Sequence, residues 1–159
     1  MKRNFLILTG IVFAIAILAA GGCKKPEATV NIFCKAVEES GELQFTMRDA
    51  DSTVVATFSS KDQNKLVADL ITIVRGGTVV FWEWDAESDV TEFVKIAPQV
   101  YGKIIPRDPK EVDGSKKKLM LVIPGNVEPG QESYYIQFVW QGETVTVDPH
   151  LKVPDQDSQ

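Results

Sequence analysis

The chain has 159 residues, of which 44% are hydrophobic, and its 17 basic and 22 acidic residues give a net charge of −5. This acidic balance argues against a nucleic-acid partner, because phosphate binding depends on clustered cations. The length is sufficient for one domain with a hydrophobic core and too short for two domains of ordinary size.

The first 22 residues have the pattern of an export signal. Lys2 and Arg3 precede an apolar run from Phe5 to Ala20. This run is shorter than the roughly 20 residues that cross a bilayer. A basic start, a short apolar run and small residues before a cleavage point are typical of a secretory signal peptide. We therefore predict that residues 1–22 are removed on export.

Cys23 directly follows the small residues Ala20, Gly21 and Gly22. The segment resembles the lipobox of bacterial lipoproteins, although Ala20 stands where that family usually has Leu. The resemblance implies that Cys23 carries a diacylglycerol and a further acyl chain such as palmitate, and that it begins the mature protein. The alternative is a secreted protein cut at the same place, since Ala20 and Gly22 also satisfy the small-x-small rule of the conventional signal peptidase.

The residues after Cys23 bear on location. An Asp after the cysteine often retains a lipoprotein in the inner membrane, whereas Lys24 and Lys25 stand here. The resemblance therefore implies the cell envelope, at the periplasmic face of the outer membrane. Because Lys2 and Arg3 leave with the leader, 15 basic and 22 acidic residues remain, for a mature charge of −7. This charge gives no second hold on anionic lipid, so an acyl anchor has to supply the membrane attachment.

The remaining chain divides into a polar tether with the lipidated cysteine at 23–29, one domain at 30–154, and a disordered tail at 155–159. The tether is short, so the domain is expected close to its membrane. Acylation of Cys23 leaves Cys34 without a partner in an oxidising compartment. Apolar residues alternate with others at Val30, Ile32 and Cys34, which predicts a small apolar residue in a strand. An intermolecular disulfide and a redox role are the alternatives.

The domain consists of short runs rich in β-branched and aromatic residues, separated by clusters of Gly, Pro, Asp and Asn. The predicted strands after residue 40 span 43–48, 53–58, 70–74, 78–84, 92–96, 119–123, 133–140, 143–147 and 151–153. Only residues 62–69 favour a helix, and they are too few to compete with nine strands. The pattern predicts an all-β, antiparallel Greek-key β-sandwich. The long stretch 97–118, rich in Pro and Gly, is predicted to be an irregular loop, which either contacts a partner or only connects strands.

The run from Ile71 to Asp85 contains a strand, a glycine turn and a second strand, and Glu128 to Tyr135 leads into a late strand. These features resemble cupredoxin-like domains over residues 68–153. The resemblance implies a cupredoxin-like topology, and an immunoglobulin-like topology is the alternative.

The cupredoxin pattern lacks its copper ligands in this chain. A blue-copper site requires two histidines and a cysteine, whereas His150 is the single histidine and Thr91 stands where the family places its first. The late strand around 134–140 ends without a cysteine. We therefore predict no metal and no other cofactor, and interpret His150 as a surface or turn residue.

Trp82 and Trp84 stand two residues apart, so both project from one face of a strand. Either the strand is central in the sandwich with one tryptophan at the edge of the core, or the pair forms a platform that stacks on sugar rings or accepts a protein. The residues that follow, Asp85, Glu87 and Asp89, form an acidic loop. It lacks the glycine and glutamate of an EF-hand, so a solvated loop is favoured over a calcium site. These five residues are the predicted binding site.

Catalytic motifs are lacking: the sequence has no glycine-rich phosphate cradle, no nucleophile elbow and no pair of histidines. We predict that the protein is not an enzyme but an anchored interaction module. It would contact an envelope protein through residues 82–92 and 97–118. The alternatives are a glycan-binding module that uses exposed tryptophans, and a degenerate cupredoxin. The latter would bind metal weakly through His150, Cys34 and either Met47 or Met120.

Overall fold

The computed structural model describes residues 28–49, 54–59 and 70–155. The predicted signal peptide, Cys23, the tether through residue 27, the helix-favouring segment 62–69 and the tail beyond residue 155 lie outside this part. The described elements are β1 (Ala28–Glu39), β2 (Glu42–Arg48), β3 (Val54–Ser59), β4 (Ile71–Ile73), β5 (Thr78–Trp84), β6 (Lys95–Pro98), β7 (Lys110–Val112), β8 (Ser115–Val122), β9 (Gly130–Trp140), β10 (Glu143–Val147) and β11 (His150–Val153). Across these ranges, no helix is long and apolar enough to cross a membrane.

The strands form two sheets. The first has six strands in the order β3-β2-β1-β5-β8-β7, and the second contains β10, β9, β11 and β4, with β6 also paired to β9. The predicted all-β sandwich is confirmed. The sheets are nevertheless mixed, because β1 pairs with β5 and β11 pairs with β4 in parallel. The chain passes through β4 in the second sheet before β5, so β5 returns beside β1 in the same direction instead of forming a hairpin with it.

Three hairpins are closed by two-residue turns with glycine in second place. The turns are Ser40-Gly41, Asp113-Gly114 and Gln141-Gly142, and both residues of each have positive φ, from 48° to 86°. This is the type I′ geometry, whose twist matches that of the flanking strands. The first two turns set the registers of the β1–β2 and β7–β8 hairpins in the first sheet.

The strand prediction is accurate for β5 and displaced for β6. Residues 92–96 were predicted as a strand, and the strand found is Lys95–Pro98. The Phe93 amide donates to Lys116 O in the first sheet and the Val94 amide donates to Gln137 O in the second, at 2.9 and 2.7 Å. The chain crosses between the sheets at these two residues. Within 97–118, predicted as irregular, β7 and the start of β8 form a hairpin.

The core lies between the sheets, and a buried side-chain hydrogen bond joins the two sheets there. Trp82 Nε1 donates a hydrogen bond to Tyr134 Oη at 3.1 Å, and both side chains are 1% exposed. Cys34 is completely buried and free, which confirms its prediction as a small apolar strand residue. Its burial raises the pKa of the thiol well above the usual range, so the sulfur stays protonated.

We expect Gly41→Ala to lower the free energy of unfolding by about 1 kcal/mol, because a Cβ is strained at its φ of 80°. Gly125→Ala is the matched control, since an added Cβ there meets nothing within 4 Å and no positive φ is found. Its effect should stay within about 0.5 kcal/mol. Urea denaturation measures both; equal losses would show that the backbone conformation of the first turn is not limiting.

Candidate functional site

An open groove of about 410 Å³ lies on the outer face of the six-stranded sheet. We call it the outer-face groove. Because side chains alternate along a strand, residues 33, 35, 37 and 39 of β1 face outward while Cys34 and Ala36 face the core. The lining residues are Phe33, Lys35, Val37, Glu39, Gln44, Thr46, Arg48, Asp85 and Glu87.

The acidic segment 85–89 is fixed to the edge of β1 where β5 ends. Ser88 Oγ accepts a hydrogen bond from the Ala36 amide at 3.0 Å, and the Asp89 amide donates to Ala36 O at 2.8 Å. Two residues further along β1, the Asp89 carboxylate accepts a hydrogen bond from the Glu38 amide at 3.1 Å. Side-chain oxygens thus replace the carbonyls of a neighbouring strand, and the segment is ordered by its polar residues.

Asp85 joins this segment to β2. Its amide donates to Cys34 O at 2.7 Å, and its carboxylate accepts the Glu87 amide at 3.0 Å and the guanidinium of Arg48. The Glu87 N–H and, after it, the Arg48 side chain lower the pKa of Asp85. The carboxylate is therefore held ionised and in place at the rim of the groove.

Two apolar side chains of β1, Phe33 and Val37, form part of the floor of the groove, and Lys35 lies between them on the strand. The Arg48 guanidinium lies 4.6 Å from the centre of the Phe33 ring, and Lys35 Nζ lies 2.7 Å from the Glu87 carboxylate. Phe33 and Val37 are both partly exposed. Each cation is thus oriented by a carboxylate before any partner arrives.

The five predicted site residues fall into two groups. Asp85 and Glu87 line the groove, and Asp89 lies beside it on the β1 backbone. Trp82 is in the core, and Trp84 is half-buried with its ring stacked on Phe93 at 4.8 Å and 25°. The structure therefore brings the three acidic residues together and leaves the tryptophans inside. The exposed tryptophan pair considered above is not formed, because the Trp82 indole fills the space between the sheets.

Seven of the nine groove residues were not singled out from the sequence: Phe33, Lys35, Val37, Glu39, Gln44, Thr46 and Arg48. The apolar alternation at 30, 32 and 34 showed the inner face of β1, and the residues between them form the outer face. The Ser40-Gly41 pair between two alternating runs was the available signal, because a two-residue turn there pairs Lys35 with Thr46 and Phe33 with Arg48.

The residues considered for weak metal binding do not meet at one site. Cys34 and Met47 are paired across β1 and β2 inside the core, while Met120 is paired with Phe81 on the outward side of β8. His150 lies on β11, with Nδ1 2.8 Å from the Ser133 hydroxyl. Among the described residues, no group of three or more His, Cys, Asp or Glu side chains is placed to hold a metal ion.

No protein-family model matches the chain, and no curated protein matches it. The groove's chemistry is that of its own residues, which include no histidine, cysteine or serine. Four of its five charged side chains form two ion pairs, and the rest of the lining consists of Phe33, Val37, Glu39, Gln44 and Thr46. Such an arrangement can bind a complementary surface through contact area and fixed charge.

We expect Ser88→Ala to lower the free energy of unfolding by about 1–2 kcal/mol and to speed hydrogen exchange of the Ala36 amide, because that amide loses its acceptor. Ser115→Ala is the control, since its hydroxyl accepts only the exposed Lys117 amide two residues away. Exchange measured by NMR distinguishes the two variants. Unchanged exchange at Ala36 in Ser88→Ala would show that the segment is not held by this side chain.

The lowered pKa of Asp85 predicts how stability depends on pH. An acid whose folded pKa lies below its ordinary value, here 3.8, stabilises the fold above that value. This contribution is lost as the pH falls from 3.8 through the lower folded pKa. Arg48→Gln should raise the pKa of Asp85 and make stability less dependent on pH in that window. NMR titration measures the pKa, and Glu128, whose pKa Lys103 lowers, should be unchanged.

Proposed function

We propose that the protein is an envelope lipoprotein, acylated at Cys23, that acts as a non-catalytic protein-interaction module through the outer-face groove. The observation that carries this proposal is that the partly exposed Phe33 and Val37 lie on one face together with the ion pairs Arg48–Asp85 and Lys35–Glu87. The lipobox resemblance at 20–23 supports the anchor. The partner is a protein segment that places an apolar side chain on the floor of the groove.

The residue types of the groove favour a protein partner. Aromatic and arginine side chains are enriched among residues that contribute most to protein binding. Here Arg48 lies over the ring of Phe33, and Asp85 holds it there. A partner that covers the ring also covers part of the guanidinium, so the ion pair is desolvated after its geometry has been fixed. The entropy cost of ordering these side chains on binding is correspondingly small.

The position of the groove suits a tethered protein. The chain enters β1 at Ala28, and the groove residues Phe33 and Glu39 follow on the same strand. At a rise of about 3.3 Å per residue, they lie roughly 17 and 36 Å from that point. An acyl anchor before Ala28 therefore holds the domain by one end and leaves the groove towards the other.

The rival functions have less support in the arrangement of residues. A glycan module of the kind predicted above needs both indoles at the surface, and Trp82 is 1% exposed. A degenerate metal site needs His150 beside Cys34, whereas His150 Nδ1 is hydrogen-bonded to Ser133 on β9 and Cys34 is paired with Met47 in the other sheet. The groove offers a mixed apolar and charged surface, which is the general composition of protein interfaces.

Site-specific photo-crosslinking in the native membrane tests the proposal. A photo-reactive amino acid replaces Val37, in the groove, or Val139, which is 50% exposed on the other sheet and serves as the control. We expect one protein adduct of defined mass from position 37 and none from position 139. Lys35→Glu should abolish the adduct by breaking the pair with Glu87, and Lys35→Glu with Glu87→Lys should restore it.

Equal adducts from both positions would contradict a specific groove. So would an adduct from position 37 that survives Lys35→Glu, because the ion pair would then play no part. The absence of any protein adduct from position 37, in membranes where the acylated protein is present, would remove the protein-interaction function.

A further inference from the structure

Two apolar side chains are exposed on a loop that follows β6. Val100 is 77% exposed and Tyr101 is 62% exposed, the highest values among the large hydrophobic residues described. Their neighbours Ile104 and Ile105 are buried at 2% and 1%. The loop, residues 99–107, thus buries two of its apolar side chains, Ile104 and Ile105, and exposes the other two, Val100 and Tyr101.

The Glu132 carboxylate holds the backbone of this loop, and we call residues 99–107 the clasped loop. Glu132 on β9 accepts the amides of Ile104 and Ile105 at 2.9 and 2.7 Å. Gly102 lies against the same carboxylate, where an added Cβ would clash with the Glu132 oxygens, and the Gly102 amide donates to Ile105 O. The outward position of the two apolar side chains is therefore fixed by bonds within the fold.

The clasped loop lies at the end of the sandwich where the chain enters β1. At this end Ala28 is paired with Thr78, and the Gly77 amide donates to Ile123 O at the end of β8. Gly76 packs against Gly125 in the following connection. We call this end the proximal end.

The same connection leads to the clasped loop. It includes Glu128, whose carboxylate is paired with Lys103, and it continues to Glu132, which holds the loop. Residues 99–107 therefore belong to the proximal end. The 85–89 segment lies beside Glu38, which is the eleventh residue of β1, and so it lies at the opposite end.

The length of chain between the proposed anchor and the fold limits the distance from the membrane. Four residues separate Cys23 from Ala28, so the chain takes five Cα-to-Cα steps between them. Fully extended, they span at most about 18 Å. The eleven residues of β9 extend roughly 37 Å. Since the tether is about half as long as the domain, the proximal end is the end that meets the lipid surface.

We propose that the clasped loop inserts Val100 and Tyr101 into the headgroup region of the bilayer that holds the acyl anchor. This proposal rests on the anchored state in the proposed function and adds a protein contact with lipid. Tyrosine is enriched at membrane interfaces, where its ring meets the acyl boundary and its hydroxyl stays hydrated. The Tyr101 hydroxyl donates a hydrogen bond to the Asp108 carboxylate at 2.9 Å, and Lys103 is paired with Glu128, so polar groups lie beside the two exposed side chains.

A thiol label at the loop tests the contact. Val100→Cys and the control Val139→Cys are prepared in the acylated protein, reconstituted in vesicles of phosphatidylethanolamine and phosphatidylglycerol. Each is labelled with an environment-sensitive fluorophore. Cys34 is completely buried and the Cys23 sulfur carries the diacylglycerol, so the new cysteine takes the label. We expect a blue-shifted emission and quenching by lipid-borne nitroxide at position 100, and water-like emission without such quenching at position 139.

The outcomes separate this inference from the proposed function. Intact mass first establishes whether Cys23 is acylated; an unmodified cysteine removes the anchor and with it the basis of the inference. In acylated protein, water-like emission at position 100 overturns the lipid contact alone. Protection of position 100 that arises in native membranes and not in vesicles also overturns it, and assigns the loop to a protein partner.

Discussion

β1 is the strand on which the rest of the structure depends, because both of its edges are paired and it runs the length of the sandwich. On one edge β2 pairs antiparallel over residues 33–39, and on the other β5 pairs parallel over residues 28–34. Beyond Cys34 the second edge continues against the 85–89 segment, whose Ser88 and Asp89 side chains bond to it. This pairing sets the direction of the chain, the position of the groove and the end at which the chain enters.

The acidic residues illustrate what this pairing does to a polar loop. Read from the sequence, carboxylates at 85, 87 and 89 indicate a solvated surface. In the fold each has a defined bond: to Arg48, to Lys35 and to the Glu38 amide. The loop is ordered because amides of β1 donate hydrogen bonds to its side chains, and because Lys35 on β1 and Arg48 on β2 pair with its carboxylates. The groove is a consequence, because its charged sides are these same pairs.

The sequence was sufficient for the class of fold and for most strands, since alternation and turn residues are local signals. It was sufficient for Cys34 as a core residue, and two residues of the predicted binding site, Asp85 and Glu87, line the candidate groove. Prediction from the sequence failed where the exposure of a side chain or the bounds of a strand depend on contacts with the other sheet. Whether Trp82 faces solvent depends on Tyr134 opposite, 52 residues away, and the shift of β6 depends on bonds from Phe93 and Val94 to different sheets. Phe33 and Arg48 are close only through the register of the first hairpin.

The two proposals assign different roles to the two ends of β1. The end where the chain enters would lie at the lipid surface, and the groove towards the other end would bind a protein partner. The intact mass of the protein purified from its native membrane tests this account most directly. The account predicts a chain that begins at Cys23 and carries diacylglycerol and a further acyl group. A chain that begins at Cys23 with an unmodified cysteine, or one that retains residues before it, would contradict the account.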